Sequence, residues 1–278
     1  MPFASFLCTL TPDPSEKEDT QEYAAVGYFL NDLESSISAF ALAALMVVGW
    51  FAGYWRGVHL SKADREKRDA TFSGASMGLL GLLLGFTFSM SLSKHDQRRA
   101  MVLADSNAIG DFNTCASLLK EPVRSKLRKS LLAYAQERYD FATKPQMHTI
   151  EERIANVARA HKQMQEFIGE AVDEGTPLVE PLVNTFNVLT SSHNSRLAAA
   201  FDRLPANIFI LLSMAAIITM VLVGDFQGAA EELRYAGTIG FVILTAMVVW
   251  VILDLNQPQQ GMIRVSQDPM RRVLDALQ

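Results

Sequence analysis

The sequence predicts an all-α membrane protein: four transmembrane helices in two pairs, with a long-helix soluble insert between the second and third. Three observations predict this. Charge is missing from a few segments long enough to cross a bilayer as helices. Between the second and third of them, residues 94–204 hold no further spanning run, yet apolar residues recur there at helical spacing. No strand-like alternation, repeat or low-complexity tract occurs anywhere.

Composition agrees. The chain has 278 residues, 49% hydrophobic and 20% charged; soluble domains carry about 25% charge. A net charge of −5 leaves no basic footprint, so nucleic acid is not expected as a partner. Cys8 and Cys115 cannot build a disulfide framework, and neither has Cys or His neighbours at metal-ligand spacing. The opening MPFASFLCTL has no basic n-region and runs into acidic residues, so no signal-peptide cleavage is expected.

Residues 1–35 read as an acidic tail with Glu16, Glu18, Asp19 and Glu22, and 36–93 as the first transmembrane pair. The first span covers about residues 37–54, with Trp50, Tyr54 and Trp55 suited to an interface and Arg56 ending it. A short loop follows with Arg56, Lys62, Arg65, Lys67 and Arg68. The second span, residues 74–93, is GASMGLLGLLLGFTFSMSLS.

Residues 94–204 form the helical insert. The second span is expected to run on to about 119, because nothing breaks it before Glu121-Pro122. Val123, Leu127, Leu131, Tyr134 and Tyr139 mark a second helix, and residues 143–149, with Pro145, a loop. A third helix covers 150–174 and stops at Gly175-Thr176-Pro177. In the fourth, Leu182, Phe186, Leu189, His193 and Leu197 fall roughly in line. Residues 205–254 make the second transmembrane pair, its spans near 205–223 and 235–253 joined by an acidic connection with Asp225, Glu231 and Glu232. Residues 255–278 are a C-terminal tail.

Basic residues disagree about orientation. The loop after the first span outweighs the lysine of the tail, which places the termini and the insert outside. Lys94, Arg98, Arg99, Arg196, Arg203, Arg264, Arg271 and Arg272, against Arg234 alone, place them inside.

Functional candidates concentrate on the second span. Gly74, Gly78, Gly81 and Gly85, continued by Ser89, lie on one helical stripe. Such a stripe packs helices closely, within or between subunits, or borders a pore. Thr87, Ser89, Ser91 and Ser93 could line a wet path or bond back to helix carbonyls. Lys94 and Arg98 share a face just beyond, as headgroup anchors or as pore-mouth charges favouring anions. Asp254 and Arg264 could clamp the tail to the bundle.

Other patterns fail on chemistry. Asp105-x-Asn107-x-x-Gly110-Asp111-x-Asn113 begins like a calcium loop but lacks its bidentate glutamate, with Ala116 at the twelfth position. The five histidines show no metal-binding spacing, and no nucleophile elbow, phosphate loop or dinucleotide fingerprint occurs. No cofactor, metal or enzymatic activity is expected.

GLLLGFTFSMSLSKHDQRRAMV, SNAIGDF, LLKEPVR, Tyr134 with Arg138, and Arg203-Leu204-Pro205 form one half of a further pattern. Ile252-Leu253-Asp254-Leu255-Asn256-Gln257-Pro258, Gly261 and Arg264-Val265-Ser266 complete it. Together they resemble the bestrophin-like domain family of bacterial membrane proteins. That resemblance implies a multi-pass protein of the cell (inner) membrane, embedded in the lipid bilayer as a homo-oligomer, pentameric if bestrophin-like. It also implies permeation by small ions, because bestrophins are pentameric anion channels with a hydrophobic neck on the second span. Leu84, Phe86, Phe88 and Met90 are the neck candidates. Bestrophin topology would put the insert inside. The expected function is thus an ion channel or pore. The alternative is a non-conducting scaffold or sensor whose insert binds a partner. A transporter is a weaker third class, because no span carries a mid-span charge.

Overall fold

The structure, a computed structural model, describes residues 35–59, 70–143, 150–257 and 262–278. Outside them lie the acidic tail before Ser35, the basic residues Lys62, Arg65, Lys67 and Arg68, the expected loop residue Pro145, and Pro258 and Gly261. All regular structure among the described residues is helical, in the order α1 (Ser35–Val58), α2 (Ala70–Ser117), α3 (Val123–Thr143), α4 (Ile150–Asp173), α5 (Val179–Phe201), α6 (Ala206–Ala229), α7 (Tyr235–Leu255) and α8 (Asp268–Leu277). Four of them, α1, α2, α6 and α7, are long and apolar enough to cross a membrane. The second span and the first insert helix are one 48-residue helix, about 70 Å long.

Local chemistry sets the helix ends. Gly175 has φ 74° and donates to the Val172 carbonyl, while the Thr176 N–H reaches back to Ala171. These two bonds are a Schellman cap, which needs a residue tolerant of left-handed backbone. Pro181 sits in the first turn of α5, where N–H groups have no intrahelical partner to lose. Pro205 stands just before α6, and Pro269 in the first turn of α8.

The chain divides into two compact units, Met1–Ser89 with Leu204–Leu253, and Met90–Arg203 with Asp254–Gln278. In the first, α1 and α6 approach at backbone contact. A Cβ added at Gly53 would collide with the Val221 carbonyl, and one at Gly224 with that of Trp50; Gly57 and Gly228 are equally closed. Small residues allow this approach, and dispersion between the backbones holds it in lipid. Around it pack Leu42, Met46, Trp50, Leu80, Leu212 and Met220. Polar groups are paired: Trp50 Nε1 donates to Gln227 Oε1 (3.1 Å), Gln227 Nε2 to Thr238 Oγ1 (3.0 Å), and Arg56 Nε to Asp225 Oδ1 (3.0 Å).

Asp225 corrects the reading of the acidic connection. Helix α6 continues to Ala229, so this carboxylate sits on the helix itself, only 2% exposed. Burial is tolerated because Arg56 neutralises it and donates a hydrogen bond.

The second unit has its own apolar core, with Phe112, Leu127, Leu131, Met164 and Leu182 among its fully buried side chains. Residues after the fourth span belong to it. Met270, Leu274 and Leu277 of α8 enter this core, and Arg128 donates twice to the Leu277 carbonyl (3.2 Å each).

Candidate functional site

Among the described residues, the second span is the least covered of the four. Its most apolar window is 17% buried, against 28–33% for the other three spans. Gly74, Gly78, Gly81, Gly85 and Ser89 are all exposed. Among the described residues, nothing lies within 4 Å of a Cβ built on any of these glycines. They make no close packing with the described residues; that role falls to the glycines of α1 and α6.

The neck candidates do not share one environment. Leu84 is half-buried against the core of the first unit. Phe86 (61% exposed), Phe88 and Met90 are exposed. By helical register, Phe88 lies about 60° from Gly85 and thus beside the glycine stripe. Thr87 is buried and its hydroxyl bonds back to the Leu83 carbonyl (2.8 Å), whereas Ser89 and Ser93 are exposed.

The collar turns inward. Lys94 Nζ lies 2.5 Å from Asp202 Oδ1. Arg98 is buried and donates from Nε to the Ala199 carbonyl (3.1 Å), from Nη2 to that of Asp202 (2.8 Å), and from Nη1 to that of Leu255 (2.8 Å). Carbonyls at helix C-termini lack intrahelical donors and carry partial negative charge, so one planar cation serves the ends of both α5 and α7.

One turn or two further along α2 lies a buried charge cluster. Asp105 is fully buried; its Oδ2 accepts from Arg138 Nε (3.2 Å) and Nη2 (2.9 Å) and from Arg196 Nη1 (2.7 Å). Ser192 reaches Oδ1 at 3.4 Å, and Arg196 Nη2 donates to Gln267 Oε1 (2.8 Å). Burial pulls the Arg196 guanidinium below its usual range, and nearby Arg138 adds to the effect. Beside the cluster, burial holds the His193 imidazole down to about 4, and burial pushes the Tyr134 phenol up.

No motif contains this trio, but register marks it. Asp105 falls in line with Val102, Ile109 and Phe112; Arg138 with Leu131 and Tyr134; Arg196 with Leu189 and His193. A charge on an apolar stripe must be buried, and a buried charge requires a partner.

Asp254 accepts from two backbone donors in the segment after the fourth span. Its Oδ1 and Oδ2 accept the Met262 and Ile263 N–H groups, each at 2.8 Å. Arg264, expected as its partner, lines a cavity with Arg98, Arg138 and Arg196. Among the described residues, no group of three or more His, Cys, Asp or Glu is placed to hold a metal ion.

The family model of the bestrophin-like domain matches residues 39–270. The chain belongs to the bestrophin-like family. Solved structures agree on the fold of this bestrophin-like protein. One point variant of a bacterial bestrophin homologue from Klebsiella pneumoniae is 12% identical with a TM-score of 0.61, covering 88% of this chain and 97% of its own. A second variant is also 12% identical, with a TM-score of 0.59 and coverage of 88% and 96%. A crystal structure described only as a membrane protein variant is 13% identical, with a TM-score of 0.57 and coverage of 88% and 96%. No curated protein matches the sequence. The bestrophin-like protein is accordingly an all-helical membrane protein of this fold.

Proposed function

We propose that this bestrophin-like protein is a homo-oligomeric ion channel or pore of the cell membrane, with anions preferred. The observation that supports the reading is the small-residue face of α2, which the described residues leave uncovered. Copies arranged around an axis would cover that face and bring α2 helices together, as pore formation requires. Family membership supports it, because bestrophins are pentameric anion channels.

Phe88, beside the stripe, is the best-placed neck residue; Phe86 and Met90 stand further round the helix, and Leu84 has its own bundle to pack against. Lys94 pairs with the Asp202 carboxylate and Arg98 serves helix ends, so any anion preference would rest on the net field around the mouth rather than on a free charged ring.

The test is reconstitution of the full chain into liposomes, with chloride and potassium flux measured alongside the mass of the assembly. An oligomer passing chloride is expected. A monomer, or an oligomer passing no small ion, would overturn the reading and leave a non-conducting scaffold.

A further inference from the structure

The second unit contains a cavity of about 350 Å³ that the channel reading does not use, within the size range of small-ligand sites. Four arginines line it from separate segments: Arg98 on α2, Arg138 on α3, Arg196 on α5 and Arg264 before α8. We propose that this cavity is a binding site for a small organic phosphate monoester.

Charge is the first argument. Asp105 is shared by Arg138 and Arg196, so a single carboxylate faces two guanidinium groups. The hydrogen bonds of Arg98 go to neutral backbone carbonyls. Among the described residues of the lining, Asp268 is the only acid. The cavity therefore holds more positive than negative charge, and a dianion suits it better than a neutral ligand or a cation.

Preorganisation is the second. Arg196 is held between Asp105 and Gln267, and Arg98 by three carbonyls. Fixed guanidinium groups lose little freedom on binding, and the N–H groups left over from these bonds remain to donate to phosphate oxygens.

The remaining wall decides between a bare ion and an organic one. Val102, Ala142, Leu197 and Val265 present apolar surface beside the arginines. A phosphate carrying a short carbon body would fill both halves, whereas inorganic phosphate would leave the apolar half wet.

The experiment uses the full-length protein in detergent, titrated with n-butyl phosphate in a calorimeter, with inorganic phosphate at matched ionic strength as comparison. Two variants separate the halves of the site: Arg264→Gln removes an exposed guanidinium outside the Asp105 cluster, and Ala142→Leu fills the apolar wall without altering charge. Unliganded thermal melts show whether each variant remains folded. Saturable binding of n-butyl phosphate is expected, weakened about tenfold or more by Arg264→Gln, as loss of a charged hydrogen bond implies, and weakened also by Ala142→Leu. Equal affinity for inorganic phosphate, or affinity unchanged in both folded variants, would overturn the proposal. Nanodiscs with and without phosphatidate identify a lipid source: extra binding to phosphatidate that both variants lose supports the site with a lipid headgroup as ligand, and binding that both retain overturns it. None of these readouts depends on ion flux.

Discussion

Arg98 Nη1 donates to the Leu255 carbonyl oxygen at 2.8 Å, so a side chain of α2 closes the C-terminal end of α7. The same guanidinium closes α5 through Ala199 and Asp202. Lysine has the charge but not the planar fork, and its single ammonium cannot reproduce three diverging bonds. Arg98→Lys should lower stability by about 3 kcal/mol, a loss of charged hydrogen bonds at helix ends. A thermal melt of the full chain in detergent checks it; an unchanged midpoint would show that the caps contribute little.

Glycines on different helices should respond differently. Gly224→Leu forces a side chain into the Trp50 carbonyl and should cost about 3 kcal/mol or more through overpacking. Gly81→Leu meets open space among the described residues. It should leave the melt of an isolated protomer unchanged yet reduce oligomer mass by light scattering. A normal oligomer from Gly81→Leu would place the subunit contact elsewhere.

Phe88→Ala tests the neck. Phe88 lies beside the glycine stripe and is 37% exposed, so truncation should widen a constriction while removing part of its packing inside the protomer. Chloride flux is expected to rise several-fold in liposomes while light scattering reports unaltered mass. Lost assembly with unaltered flux would reverse the roles assigned to glycine stripe and neck.

Asp254→Asn should release the segment beginning at Met262. The carboxylate accepts one N–H on each oxygen; the amide keeps one acceptor and turns an N–H₂ toward the other donor. The expected loss is about 2 kcal/mol of local stability, read as faster limited proteolysis near residue 262. Equal cleavage rates would contradict the clamp.

His193 gives the second unit a pH dependence. Burial first, then Arg138, with smaller contributions from His161 and Arg196 and against the pull of Asp105, lowers it from 6.5 to about 4. The folded state therefore keeps this imidazole neutral where the unfolded chain protonates it, so protons favour unfolding. Stability should be full above about pH 6.5 and fall toward pH 4. In His193→Gln the melting temperature should fall less over that window; an identical pH profile would assign the titration to another group.

The sequence by itself determined the all-helical class, the four spans and the long helix through residue 93, because bilayer thickness and helical periodicity act on local composition. It also put Asp254 at a junction, because a carboxylate ending an apolar run is visible in one dimension. Only the tertiary structure decided which glycines face a neighbour. Gly81 and Gly224 look alike in sequence, and the difference is whether another backbone lies opposite. It likewise decided that Arg98 serves helix ends, that Asp225 is a buried partner of Arg56, and that Asp105, Arg138 and Arg196 form one cluster. Those bonds join residues from 33 to 169 positions apart. The partner of a buried charge is chosen by the packing of helices, which no local window contains.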